Sequence, residues 1–190
     1  MATTEMDQDI LIKRACSDPA AFARLYRQHY DSVFRYCSHR LFNRQSAEDV
    51  TSTVFFKVMN TIKTFKGDSK GFRNWLYRIA TNAVNDHLRS ALKRKEAIRV
   101  VSDNIRSGRH VIENNDLSDK KFILKQAILS LKPKHQTVIT LRYFENMKLI
   151  EIAEVLDQKP ATTRSILSRA LDKLRKKLKA ADVDNKEVKL

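Results

Sequence analysis

Glycine and proline are scarce, three of each in 190 residues. So few chain breakers leave little material for the closely spaced turns of a hairpin-rich fold, and β-like alternating runs are hard to find. The two cysteines, Cys16 and Cys37, form no CxxC pair. Neither a disulfide framework nor a zinc module is expected, and the thiols should stay reduced. Long apolar runs are missing as well. The N-terminal stretch sets Glu5, Asp7 and Asp9 before a short Ile10-Leu11-Ile12, which has the form of neither a signal peptide nor a membrane span. A cytoplasmic protein without membrane insertion is expected. Acidic residues are in deficit, 22 against 37 lysines and arginines, for a formal net charge of +15. That excess speaks of partners, not of fold, and favours nucleic acid over an anionic membrane surface. A hydrophobic share of 42% still supports packed cores.

What is present is helical periodicity. A short helix is expected around Asp9 to Cys16. Asp18 is suited to cap a helix opening at Pro19, with Phe22, Leu25, Tyr26, Val33, Tyr36 and Cys37 inward and an end near Asn43. Ser46, with Asp49 three residues on, reads as an approximate capping box for the next helix. Val50, Val54, Val58 and Ile62 form that helix's apolar stripe, flanked by Phe55 and Met59. The polar turn Lys66-Gly67-Asp68-Ser69-Lys70-Gly71 leads into a third long helix with Phe72, Trp75, Leu76, Ile79, Ala83 and Leu88 inward. From Lys93 to Asp116 the periodicity fails: the stretch is basic at Lys93-Arg94-Lys95, interrupted at Ser107-Gly108, and acidic from Glu113 to Asp116. The expected fold class is therefore all-α, two small helical domains joined by a flexible linker. The bounds are 9–92 for the first, 93–117 for the linker and 118–180 for the second, with a tail over 181–190.

The second domain carries the strongest local pattern. Leu141, Arg142, Tyr143 and Phe144 close one helix, and Ile152, Ala153, Val155 and Leu156 line a short second one. After the break at Asp157-Gln158-Lys159-Pro160, Leu167, Leu171, Leu174 and Leu178 recur at i, i+4, i+7, i+11 along a third. That spacing turns Arg164, Ser165, Ser168, Arg169, Lys173 and Lys176 outward. A short buried helix followed by a longer one with a polar, basic face is how a helix–turn–helix presents a recognition helix to the DNA major groove.

Ala47-Glu48-Asp49-Val50, then Phe55, then Phe72-Arg73-Asn74-Trp75-Leu76-Tyr77-Arg78-Ile79-Ala80-Thr81-Asn82, then Asp86 and Arg89, resemble conserved region 2 of bacterial sigma factors, and Leu131 to Leu178 is similar to their region 4. With only these two regions, the chain resembles the extracytoplasmic-function group of the sigma-70 family. The resemblance implies a sigma factor that binds bacterial core RNA polymerase, directs it to promoter DNA at the −10 and −35 elements, and answers to an anti-sigma factor. It implies no enzymatic activity of its own, no cofactor and no metal, and a monomer when free. The alternative is a sigma-like helix–turn–helix regulator that binds DNA without initiating.

Residue roles follow from the same resemblance. Glu48, Asp49, Ser52, Thr53 and Lys57 on the second helix would meet the polymerase, although relatives often carry Gln and Glu where Ser52 and Thr53 stand. Lys66, Asp68, Ser69 and Lys70 in the turn, with Asn74, Asn82, Asn85 and Arg89 beyond it, would take the −10 element. Thr162, Thr163, Arg164, Ser165, Ser168, Arg169 and Lys173 would read the −35 element, where arginine can pair in two places with guanine. Here Asp157 replaces the usual turn glycine, Lys148 a Ser/Thr cap, and Ile166 a basic residue. Trp75 stands in register with Phe72 and Ile79, which favours packing over base stacking. The histidines His29, His39, His87, His110 and His135 assemble no catalytic pattern with the acids, and neither a P-loop nor a nucleophile elbow is present.

Overall fold

A computed structural model describes residues 5–102 and 119–187, and among these all regular structure is helical. Four helices build the first unit: α1 (Glu5–Ala15), α2 (Pro19–Leu41), α3 (Arg44–Thr61) and α4 (Ser69–Ser102). Caps explain where α2, α3 and α4 begin. The Ala20 amide donates to Asp18 Oδ1 at 2.9 Å, with Pro19 at the first helical position. Asn43, not Ser46, caps α3: the Ser46 amide donates to Asn43 Oδ1 at 2.8 Å and the helix starts at Arg44. The chain reaches that cap through Phe42, held in the left-handed region at φ 51. Asp68 caps α4, accepting from the Gly71 amide at 2.7 Å.

The amphipathic stripes pack as their spacing requires. Leu25, Val33, Tyr36 and Cys37 of α2 meet Val50, Val54 and Val58 of α3 and Phe72, Leu76, Ala80 and Val84 of α4 in one buried cluster. Met59 departs from the expected stripe; it lies on the solvent side of α3, 50% exposed. A second departure concerns length. α4 continues as helix to Ser102, past the residue 93 where a linker was expected. Lys93 to Ser102 contain no glycine or proline to stop it. The acidic end of that stretch, Glu113 to Asp116, lies outside the described residues.

The second unit comprises α5 (Asp119–Leu129), α6 (Pro133–Ile139) with a π-helical turn over Thr140–Phe144, α7 (Leu149–Val155) and α8 (Pro160–Glu187). α7 and α8 form the helix–turn–helix, and Asp157 takes the left-handed conformation at φ 51 that the turn demands. α7 begins without a Ser or Thr cap, but the Glu151 carboxylate accepts from the Lys148 amide. The buried face of α8 is rotated from the expected leucine stripe. Thr163, Ile166 and Ala170 are its buried residues, while Leu167, Leu171, Leu174 and Leu178 are half-buried along the flank.

The two units are packed against each other. α7 lies on α4 and the π-turn on α2, so Val138, Leu141, Met147, Ile152 and Val155 join the same apolar cluster as the first unit. Among the described residues no helix is long and apolar enough to cross a membrane.

The caps give a direct comparison. Asn43→Ala should cost about 1 kcal/mol of stability through the lost α3 cap. Ser46→Ala should change it by less than about 0.5 kcal/mol. Chemical denaturation followed by far-ultraviolet circular dichroism measures both.

Candidate nucleic-acid and partner interfaces

α8 carries the basic face. Thr162, Arg164, Ser165, Ser168, Arg169 and Lys173 are exposed along it, and among the described residues no ion pair engages Arg164, Arg169 or Lys173. The Ser165 hydroxyl donates to its own helix, to the Ala161 carbonyl at 3.1 Å. The concentration of cations is felt by a neighbour: burial and then Lys173, Lys132 and Arg169 hold the His135 pKa below its ordinary value. Thr163 is the exception to the expected reading surface. It is 0% exposed, part of the face α8 presents to its own domain, and its hydroxyl turns toward the Lys159 carbonyl. It cannot reach a base edge.

The outer face of α3 has a different chemistry. Glu48 is paired with Arg44 at 2.9 Å, and Asp49 is exposed. The Ser52 and Thr53 hydroxyls donate back to the Glu48 and Asp49 carbonyls. Lys57 approaches Asp86 of α4 at 3.8 Å. Between these polar groups stand two exposed apolar side chains, Phe56 at 62% exposure, which the stripe reading passed over, and Met59, which it had set beside the buried stripe. Phe56 directly follows the buried Phe55, and a helix turns consecutive residues about 100° apart, so only one of the pair can face the core. The spacing Asp49, Ser52, Phe56, Met59 marks a second face.

The turn between α3 and α4 rests on an aromatic knot. The Phe65 ring packs edge-on against Phe72 at 5.5 Å and tilted against Trp75 at 5.2 Å, and Phe72 and Trp75 meet at 5.6 Å. Trp75 is therefore a packing residue. Gly67 crosses this ring so closely that an added Cβ would lie 2.6 Å from Phe65 Cζ. Lys66, Asp68 and Lys70 are exposed on the turn, but Asp68 is committed to the α4 cap. The Ser69 amide donates to Asp9 Oδ1 at 2.7 Å, which ties the turn to α1.

Beyond the turn, the outer face of α4 is occupied by the second unit. Asn74 is buried and its amide donates to Glu154 Oε2 at 2.6 Å. Asn85 Oδ1 accepts from Arg40 Nη2 at 3.2 Å. Asn82 and Arg89 are exposed and line a cleft of about 650 Å³ between α4 and the second unit, with Leu88, Leu92 and Leu156. Arg89 also pairs with Asp86 at 3.1 Å. Three residues not singled out by the sequence join this seam. Arg73 donates to the Glu145 carbonyl at 2.6 Å, Tyr77 to the Glu145 carboxylate at 2.6 Å, and Arg78 to the Glu154 carbonyl at 2.6 Å. The Tyr77 phenol is held far above its ordinary pKa, first by burial and then by that carboxylate.

The seam is imperfectly satisfied. Arg40 is 1% exposed and donates to Gln136 Oε1 at 2.7 Å, yet its Nε has no partner. Glu145 is 5% exposed; its Oε1 has no hydrogen bond and stands 3.8 Å from Arg35. Asn74 Oδ1 and Gln158 Oε1 are also buried without partners. Each such group costs about 1–3 kcal/mol. Elsewhere, burial pushes the Cys37 thiol up to about 11. Among the described residues no His, Cys, Asp and Glu side chains gather into a metal site.

Comparison with known proteins covers both units. Residues 25–94 match the family model for Sigma-70 region 2 and residues 127–176 that for Sigma-70, region 4. The chain is 30% identical over 174 residues to the ECF RNA polymerase sigma factor SigW of Bacillus subtilis, covering 85% of this chain and 91% of SigW. It is 31% identical over 166 residues to the ECF RNA polymerase sigma factor BldN of Streptomyces coelicolor, covering 85% of this chain and 62% of BldN. In fold it is similar to CnrH, solved with the cytosolic domain of CnrY, at a TM-score of 0.66 and 23% identity over 92% of this chain and 99% of that one.

Burial of Thr163 is open to test. Thr163→Val should change stability by less than about 1 kcal/mol, whereas Thr163→Lys should cost about 3 kcal/mol or more by forcing a charge into the α8 packing face. Thermal melts of the two variants measure the difference.

Proposed function

This chain belongs to the sigma-70 family of RNA polymerase sigma factors, in its extracytoplasmic-function group, and from that premise we propose how its two units divide promoter recognition. The protein is the specificity subunit that joins core RNA polymerase and directs it to promoters; bond making stays with the polymerase, in the cytoplasm. The observation that carries the reading is the contrast between two faces. Among the described residues Arg164, Arg169 and Lys173 of α8 are exposed without ion-pair partners behind a helix–turn–helix, and α3 holds exposed apolar side chains among polar ones.

The α8 face docks in the major groove at the −35 element. Arg164 and Arg169 read guanine edges, each worth about 1–3 kcal/mol of discrimination. Thr162, Ser165 and Ser168 complete the face, and Lys173 and Lys176 hold phosphates and set register. Ile166 belongs to the packing face, so its departure from the family's basic residue removes no base reader.

The α3 face meets the polymerase. Phe56 and Met59 supply the apolar centre, and Glu48, Asp49, Ser52, Thr53 and Lys57 the polar surround. This is the arrangement of a hot spot inside a water-excluding rim. Ser52 and Thr53 need not carry long polar side chains if the energy comes from Phe56.

The turn and the outer face of α4 take the −10 strand. Opening duplex costs about 1.4 kcal/mol per base-pair step, and capturing one base returns about 1–3 kcal/mol. A turn fixed by the aromatic knot and by Asp9 can therefore hold an opened base, but the bubble needs the polymerase. Lys66, Ser69 and Lys70 line the capture site, with Asp68 acting through the α4 cap. An anti-sigma factor is the further partner we assign; the structural relative RpoE of Bartonella quintana is solved with the anti-sigma factor NepR.

Run-off transcription with bacterial core polymerase on a genomic fragment library tests the reading. Transcripts sharing −10 and −35 sequences and dependent on the protein are expected; co-purification with core but no transcripts would favour the non-initiating regulator. Arg164→Ala and Arg169→Ala should each lower transcription about tenfold or more at promoters bearing their guanine and little elsewhere. Equal loss at every −35 variant would reduce them to phosphate contacts. Phe56→Ala should weaken core binding by at least about 1 kcal/mol in a competition assay, with the fold intact.

A further inference from the structure

The cleft between α4 and the second unit has the size of a small-molecule site, about 650 Å³, and its two ends differ in chemistry. Two contacts fix which residues share an end. Arg78 donates to the Glu154 carbonyl at 2.6 Å, which sets the turn at Leu156, Asp157 and Gln158 beside the Arg78–Asn82 part of α4. Arg40 bonds both Asn85 and Gln136, which sets the start of α6 beside the next turns of α4, where Leu88, Arg89 and Leu92 stand. The first end therefore offers acceptors, the Asp157 carboxylate and Gln158 Oε1. The second offers cations, Arg89 and Lys134. Asn82 and Arg89 lie two helical turns apart, about 10 Å at 1.5 Å per residue, and apolar side chains line the length between.

These groups are uncommitted. Among the described residues no ion pair engages Lys134 or Asp157. Arg89 holds only the exposed Asp86 at 3.1 Å, a kind of pair that adds little stability and yields to a competing anion. Gln158 Oε1 is shut from solvent without a hydrogen-bond partner, so turning the amide into the cleft breaks no bond to that oxygen. Leu92, at the cationic end, is 67% exposed. The cleft thus asks for an anion at one end, an apolar body in the middle and donors at the other end. A fatty acid has the first two and no donor. A guanine nucleotide has all three, because its base sets an N–H beside an amino group and so presents paired donors to a carboxylate and an amide oxygen.

We propose that this cleft binds a guanine mononucleotide, with the phosphate on Arg89 and Lys134 and the base against Leu156, donating to Asp157 and Gln158. The inference goes beyond promoter recognition and holds whether or not Arg89 also meets a strand. Because the ligand touches both units, its occupancy adds stability to the folded chain by mass action.

The test titrates the full chain with GMP carrying a fluorophore on its ribose and reads anisotropy. Unlabelled GMP should displace the probe at least about tenfold more tightly than AMP or inorganic phosphate. Asp157→Asn keeps a residue that tolerates the left-handed turn and should cost about tenfold in GMP affinity and erase the preference over AMP. Lys134→Ala and Leu92→Glu, both at exposed positions, should each weaken binding by a similar factor, whereas Arg164→Ala/Arg169→Ala should leave it unchanged. Circular dichroism checks that every variant stays helical. Displacement by phosphate as tight as by GMP overturns the proposal and leaves a simple anion site; equal displacement by AMP overturns the guanine assignment. Loss of binding in the α8 variant, or no displaceable binding at millimolar GMP, sinks it as well.

Discussion

The arrangement of this molecule depends on a carboxylate taken out of water. Glu145 sits where the π-turn after α6 ends, and its own amide donates back to the Thr140 carbonyl at 3.2 Å. A charge in that position costs several kcal/mol unless donors surround it. Tyr77, which donates to the carboxylate, Arg35, 3.8 Å from it, and Arg73, which donates to the carbonyl of the same residue, all come from the first unit. The second unit therefore cannot bury its own glutamate alone, and the two units meet at the one place where the donors stand. The same logic holds in reverse for Arg40, a buried guanidinium of α2 that finds Gln136 at 2.7 Å in α6. Gln136 in turn spends its amide on the Leu129 and Leu131 carbonyls at the α5–α6 turn. Apolar packing of Leu141, Met147 and Ile152 brings the surfaces together, and these polar groups decide the register in which they meet.

Much of the helical architecture was legible because it is local. Asp18-Pro19 names a helix start by itself, and Val50, Val54, Val58 and Ile62 repeat at helical spacing and are all buried. The failures have physical reasons of two kinds. Ser46 lost the α3 cap to Asn43 because both residue types cap well, and only the left-handed turn at Phe42 aims the Asn43 side chain at the free amides. The leucine stripe of α8 misled because leucine is apolar enough to line a flank as well as a core. The tight crossing of α6 selects the small residues Thr163 and Ala170 instead, and Thr163 thereby left the reading face. The seam itself was not legible at all. Glu145, Glu151 and Glu154 look like solvated helix acids in sequence, and only the fold sets them on Arg73 and Asn74.

The charge that dominates the composition is not spread evenly. Among the described residues several cations of the first unit are matched: Arg14 of α1 with Asp18, Arg44 with Glu48, Lys57 and Arg89 with Asp86, Arg73 with Glu151. Surface pairs of this kind add little stability, but they cancel field. On α8, Arg164, Arg169 and Lys173 have no such partner among the described residues, and a duplex would feel them at a distance. The first unit is accordingly suited to contacts made at short range, with protein or with a captured base, and the second to long-range attraction.

Helix α4 has a mechanical side as well. It runs for 34 residues, and at 1.5 Å per residue that is a rod about 50 Å long. Between Phe72 and Ser102 it contains neither glycine nor proline, so it has no built-in place to kink. Its first turn is pinned by the aromatic knot and by the Asp9 tie. A rod held at one end works as a lever: a tilt of about 10° at the knot would carry Ser102 about 9 Å sideways over that length. Movement of the turn and the position at which the chain leaves for its second unit are thus geared together through one stiff piece of backbone.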